Sequence, residues 1–303
     1  MGFFQAFWSW LNSQLSGYIG DNTARVAAAL EPAVITLGTL YLMAWGYLQL
    51  TGRIEEPIVA GLRRIVSLAL VFGVALRLWL YNSVIVDTFY NAPAQFAATV
   101  IGATDPVQTI DAIWDRGGSV AGFLWGQGGV LHGDFGFYVA ALAVWLLMGL
   151  LCVYTMFLIA LSSVALAVLL ALGPVFIVML LFESTRRYFL AWIGQLLNYA
   201  LITILTVMAA ALLLRIVQSY AAQTAARGSA ILTVDALNML LVSTLVLLFM
   251  RQVMPIAAAL AGGVALNSFG VTSRAVSWSA SQGRRLAGRI GPAAFNLAKG
   301  EES

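Results

Sequence analysis

The sequence predicts an all-α, polytopic membrane protein with about five transmembrane helices plus a broken or re-entrant segment. Three observations carry that expectation. Hydrophobic residues make up 61% of the 303 positions and charged residues 10%, and mean hydropathy is +0.90. Soluble domains carry roughly 25% charged residues, so this chain cannot cover its surface with polar groups. Several uncharged runs reach the roughly 20 residues that cross about 30 Å of hydrocarbon. The arginines gather in short connections between those runs, where they fix orientation.

The N-terminal segment, 1–31, places Phe4, Phe7, Trp8, Leu11 and Leu15 at helical spacing, with Gln5, Ser9, Asn12 and Ser13 opposite. That pattern is an amphipathic helix, suited either to the membrane interface or to packing on the rest of the protein. It lacks the basic start of a signal peptide, because the first basic residue is Arg25. Residues 32–81 hold the first two spans, Pro32 to Leu50 and about Ile65 to Tyr81, around a loop at 51–64. The connection 82–134 is rich in glycine, including Gly117, Gly118, Gly122, Gly126, Gly128 and Gly129, which reads as a pliable loop.

The membrane core, 135–270, opens with 48 residues free of charge, Phe135 to Phe182. One helix of that length would reach about 72 Å, more than twice the hydrocarbon core. The run must turn or break, at Ser162-Ser163 or at Gly173-Pro174. Leu196 to Leu214 is a further span. Leu237 to Met250 is the centre of another that begins near Ile231, and Pro255 to Leu266 is apolar but too short to cross alone. The tail, 271–303, is rich in Ser, Gly and Arg, fitted for a flexible segment or for an amphipathic helix on anionic lipid.

Arginine placement predicts orientation. Arg53, Arg63 and Arg64 put the first loop on the cytoplasmic side, as do Arg186 and Arg187 for the elbow 183–195, and Arg274, Arg284, Arg285, Arg289 and Lys299 for the tail. The connection 82–134 has Arg116 against Asp87, Asp105, Asp111, Asp115 and Asp134, and reads as external. Five crossings result, N-terminus out and C-terminus in, with the segment after Gly173-Pro174 staying on the inner side. A six-span version puts Arg186-Arg187 outside, against the charge rule.

Chemistry is sparse. The single His132 near Asp134 lacks the companions a metal site needs, and no nucleophile elbow accompanies it. The single Cys152 lies in an apolar run, which excludes an internal disulfide framework and a Cys-based metal site. Of the 16 basic residues 15 are arginine, and no basic tract points to bulk nucleic-acid binding. No cofactor and no enzymatic activity are expected. Trp114, Phe123 and Trp125 in the external connection offer rings that stack on the bases of single-stranded nucleic acid, which the negative charge around them opposes, or that anchor at the interface or pack between subunits. Mid-span charges that would mark an ion-coupled carrier are lacking, and the break at Gly173-Pro174 has no counterpart in another half, so a small-solute transporter or permease is the weaker, alternative function. Pro255 precedes the overlapping small pairs Ala258/Gly262 and Ala259/Gly263, suited to close helix packing within the chain or between subunits.

The stretch LGPVFIVMLLFESTRRYFLAWIGQLLNYAL, Leu172 to Leu201, resembles the core signature of the polytopic inner-membrane subunit of type IV secretion systems. This is the TrbL-type family, the sixth protein of the VirB set. The matching positions are Gly173, Pro174, Phe182, Thr185, Arg186, Phe189, Trp192 and Leu196, and MPIAAALAGGVAL (Met254 to Leu266) resembles the family's C-terminal membrane segment. The resemblance implies an external N-terminus, five spans, a periplasmic loop after the second and a cytoplasmic C-terminus, in the bacterial inner membrane. It implies a non-enzymatic subunit of a machine that moves DNA or protein and assembles a pilus. The implied partners are a homo-oligomer (a pentamer), the minor pilin of the periplasmic stalk, other inner-membrane subunits with their ATPase complex, translocating DNA or protein, and membrane lipid. Within the elbow, Arg186 and Arg187 are expected at the inner interface, with Tyr188, Phe189 and Trp192 anchoring the turn and Gly173-Pro174 letting it bend.

Overall fold

The computed structural model describes residues 2–52, 58–102, 107–128, 135–227 and 233–269. Every regular element among them is helical. In chain order these are α1 (Phe3–Leu50), α2 (Ile58–Leu76), α3 (Leu78–Tyr81), a π-helix (Asn82–Asn91), α4 (Ala92–Ile101) and α5 (Gln108–Gln127). There follow α6 (Phe135–Ala171), α7 (Gly173–Val178), a 3-10 turn (Met179–Leu181), α8 (Arg186–Arg227) and α9 (Thr233–Phe269). Among the described residues four helices are long and apolar enough to cross a membrane, or five if the bent pair Ile65–Leu76 and Leu78–Ile101 counts as one span. The all-α, polytopic expectation therefore holds. His132, Asp134 and the tail 271–303 lie outside the described residues.

Two expected boundaries are absent. Pro32 does not start a helix but sits inside the 48-residue α1, whose length of about 72 Å exceeds the hydrocarbon thickness more than twofold. Likewise Pro255 sits inside α9, so the supposed short helix after it continues the preceding span. Proline removes one backbone bond and clashes one turn back, yet both helices run on through it, and both prolines lie on exposed faces. The second expected span does break. At Arg77 the backbone is extended (φ −94°, ψ 99°), and the chain bends by 87° into the α3–α4 segment.

Two apolar clusters organise the fold. The larger joins α4, α5, α6, α8 and α9, and takes in Phe4 from the start of α1. The smaller gathers Leu15 and Ile19 of α1, Val71 and Ala75 of α2, Tyr81, Ile177, Trp192 and Leu196 around Leu166, Ala167 and Leu170 of α6. Helix α6 thus runs through both. Of the expected N-terminal amphipathic face, Phe4 and Leu15 are buried in packing and Trp8 and Leu11 half-buried, whereas Phe7 is exposed.

Helical packing also replaces the pliable loop expected around residue 120. Helix α5 lies along α6, and glycine sets how close they come. A Cβ on Gly117 would sit 2.7 Å from Met148 Cγ. Trp114 stacks on Trp145 at 6.2 Å, and covers Gly149, where an added Cβ would lie 3.3 Å from its ring. Gly117→Val is therefore expected to destabilise the fold by about 1–3 kcal/mol through overpacking, measured as a lowered thermal midpoint in detergent. An unchanged midpoint would mean that the two helices are not held this close.

Candidate functional site

The charge-free run that opens with α6 is interrupted where Gly-Pro intervenes, and not at Ser162-Ser163. Those serines lie within α6, where Ser162 Oγ donates to the Ile159 carbonyl at 2.9 Å and pairs with Thr203 Oγ1 of α8 at 2.8 Å. A serine hydroxyl that bonds back to its own helix needs no break to satisfy it.

Proline at 174 has no N–H to give the carbonyl four residues earlier, that of Leu170. Side chains from other helices supply the missing donors. Tyr81 Oη donates to the Leu170 carbonyl at 2.5 Å, and Thr23 Oγ1 of α1 approaches the same oxygen at 3.5 Å. Trp192 Nε1 of α8 donates to the Leu169 carbonyl at 2.9 Å. The break in α6 is thus clasped from three sides. A buried carbonyl left without a donor costs about 1–3 kcal/mol, so each tie fixes the position of the helix that provides it.

Glycine at 173 has an equally specific role. A Cβ there would overlap Tyr81 Oη and its ring carbons, so only glycine leaves room for the hydroxyl to reach Leu170. Gly173, Pro174, Tyr81 and Trp192 are all buried. The Trp192 ring is held by Phe176, stacked at 5.6 Å and 10°, and by Phe189 at 5.8 Å.

The chain then turns. Thr185 Oγ1 donates to the Met179 carbonyl at 2.7 Å and to that of Phe182 at 3.2 Å, which closes the turn before α8. Arg186 and Arg187 begin α8 and are exposed. The Arg187 guanidinium lies 4.9 Å from the Tyr188 ring centroid, and Nη2 donates to Tyr188 Oη at 3.0 Å. Arg186 instead edges a groove of about 310 Å³ between α1, α2 and the 3-10 turn.

The remaining expected positions lie apart from this elbow. Trp114, Phe123 and Trp125 are on α5, with Trp114 and Phe123 half-buried against the larger cluster. Trp125 meets Tyr138 edge-on at 4.9 Å. On α9, Val253, Ala257 and Ala261 face the core, whereas Pro255, Ala258 and Ala259 are exposed. Gly262 has open space where a Cβ would stand, and the surroundings of Gly263 lie outside the described residues. Small-residue packing inside the chain therefore uses a different face of α9 from the one that the Ala258/Gly262 spacing marks.

Two tying residues gave no signal in the sequence. Tyr81 sits at the end of an apolar run, and nothing in the spacing links it to a carbonyl 89 positions away. Asp111 is the other. It is 9% exposed, and its carboxylate accepts the N–H groups of Phe4 at 3.1 Å and Gln5 at 3.0 Å. In the sequence it is one of five acids in the connection 82–134, with no pattern that sets it apart.

Fold and site together define a multi-pass helical membrane protein in which Thr23, Tyr81 and Trp192 tie three helices to the carbonyls beside a helix break. The chain belongs to the TrbL/VirB6 plasmid conjugal transfer protein family, whose model matches residues 38–253. It is similar to the type IV secretion system protein VirB6 of Brucella abortus, 27% identical over 199 residues, 62% of this chain and 57% of that one. The VirB6 of Bartonella quintana is 22% identical over 220 residues, 71% of this chain and 67% of the relative. An uncharacterised protein of Rickettsia conorii is 29% identical over 184 residues, 57% of this chain but 20% of that longer protein. The chain therefore spans 57% of the length of the Brucella relatives it matches.

Proposed function

We propose that the chain is a non-enzymatic platform or channel subunit of a type IV secretion system in the bacterial inner membrane. It supports passage of DNA or protein substrates and assembly of the pilus and its stalk. The observation that carries this reading is the family match over residues 38–253, which runs from α1 into α9. The clasped break supports it, because polar groups used as ties suit a scaffold that must keep its shape under load. Its partners on this reading are further copies of the chain in a ring, a pentamer by family resemblance, the minor pilin, other inner-membrane subunits and the ATPase complex. Substrate passes transiently. The outward Ala258/Gly262 face of α9 is suited to packing between copies.

Orientation follows from the charge rule, with the N-terminus periplasmic and the C-terminus cytoplasmic. The groove edged by Arg186 supports this reading, because it lies between α1 and α2. The connection joining those helices, with the start of α2, carries Arg53, Arg63 and Arg64. The α2 wall of the groove, Ser67 to Val71, follows Arg63 and Arg64 closely in sequence. Cys152 is buried, so a cysteine placed at exposed Ser184 gives a clean reporter of side. It is expected to resist a membrane-impermeant maleimide in intact spheroplasts and to react in inverted vesicles. This holds also with Arg186→Lys and Arg187→Lys, since the rule reads charge and not shape. Labelling in spheroplasts would overturn the orientation.

The functional reading is tested by co-purification from native membranes, joined to complementation of a transfer-deficient strain. Envelope-spanning partners, higher-order copies of the chain and restored transfer are expected. Solute uptake by the purified protein alone in vesicles, with no envelope partner recovered, would favour a permease.

A further inference from the structure

We propose that the groove edged by Arg186 is a binding site for an anionic phospholipid, which lays an acyl chain between α1 and α2 and sets its phosphate against the guanidinium. The groove, about 310 Å³, is walled by Leu37 of α1, Leu68 and Val71 of α2, and Leu180, Leu181 and Phe182 of the turn, with Tyr41 and Ser67 also lining it. α1 is a candidate span, and α2 belongs to the bent pair that also qualifies. An apolar furrow between such helices meets hydrocarbon chains when the protein sits in a bilayer.

Charge then selects among lipids. Among the described residues no acidic one lines the groove. Among them the Arg186 guanidinium makes no hydrogen bond or ion pair, its backbone N–H alone bonding to the Phe182 carbonyl, whereas that of Arg187 beside it is taken up by Tyr188. A guanidinium presents a planar fork that matches phosphate oxygens. A soluble phosphate would use only the Arg186 end, and a peptide carboxylate would leave the apolar walls empty. An anion carrying a long chain uses both. This inference stands independently of the secretion reading, because it is measured on the purified protein.

The test uses the full chain in nanodiscs containing a phosphatidylglycerol analogue with a photoreactive group on its acyl chain, and adducts are mapped by mass spectrometry. Adducts are expected on residues 37–41, 67–71 and 180–182. A phosphatidylcholine analogue of the same chain should label these residues about fivefold less, as expected when one basic residue recognises an anionic surface. Arg186→Gln should lower phosphatidylglycerol labelling by a similar factor, and Arg187→Gln should leave it unchanged. Should Arg186→Gln not fold, Leu37→Trp provides a second arm, since it fills the groove from an exposed position and should lower labelling by either lipid. Equal labelling by both lipids, or labelling indifferent to Arg186→Gln and to Leu37→Trp, would reduce the groove to ordinary boundary lipid. A groove that excludes lipid and instead crosslinks to another protein would overturn the proposal in favour of a protein partner.

Discussion

Gly173→Ala is expected to destabilise the protein by about 3 kcal/mol and to impair transfer in a complementation assay. The sign is the informative part. Alanine in place of a helical glycine ordinarily stabilises by about 0.5–1 kcal/mol. At Gly122 of α5, where a Cβ would meet nothing within 4 Å, that small gain is expected. At Gly173 the new methyl would occupy the place of Tyr81 Oη. Tyr81 must withdraw, and the Leu170 carbonyl keeps only the 3.5 Å approach of Thr23. Overpacking of about 1–3 kcal/mol then adds to a buried carbonyl short of a donor, about 1–3 kcal/mol. Tyr81→Phe removes the same hydrogen bond without the methyl and is expected to cost less. Because both changes break one bond, the double variant should cost less than the sum of the singles. Thermal midpoints in detergent for the four proteins of this cycle decide the matter. A stabilised Gly173→Ala, or strict additivity, would mean that Tyr81 does not clasp the break.

That clasp also marks where sequence reasoning stops. Gly173-Pro174 is legible as a break because 48 uncharged residues are too many for one crossing and because proline cannot donate to Leu170. The family signature around Thr185, Arg186, Phe189 and Trp192 is legible for the same reason, since motifs are local. What satisfies the freed carbonyls is not local. Tyr81, Thr23 and Trp192 come from three other helices, and apolar periodicity says nothing about which residue reaches which oxygen. The continuity of α1 through Pro32 and of α9 through Pro255 fails to show because a proline costs a helix one backbone bond without obliging it to end, and both lie on exposed faces of helices that run on. Residues 108–127 read as a loop because their glycines were weighed by backbone freedom. In the fold Gly117 is instead the place where α6 comes close enough for Met148 to fill the missing side chain.

The start of α1 poses the same question at a helix end. An α-helix begins with N–H groups that its own turn cannot satisfy, and Gly2, the residue at the cap, offers no side chain to meet them. Asp111 meets two of them from another helix, at 3.1 and 3.0 Å. It also lies in the first turn of α5, so one carboxylate faces the positive ends of two helix dipoles. Asp111→Ala should therefore release the N-terminal turn of α1 from α5, at a cost of about 2–3 kcal/mol from the lost cap and the lost charge–dipole attraction. Asp111→Asn keeps one acceptor oxygen and should cost roughly 1 kcal/mol. Hydrogen exchange at the amides of Phe4 and Gln5 separates this account from a general loss of packing. In Asp111→Ala these amides should exchange much faster while amides in the middle of α6, around Cys152 and Met156, stay protected, because the tie is local to one helix end. Gly2 enters the same argument, since a Cβ there would overlap the Asp111 carboxylate, and Gly2→Val should loosen the turn in the same way. Unchanged exchange at Phe4 and Gln5 in Asp111→Ala would show that apolar burial of Phe4 alone holds the end of α1 in place.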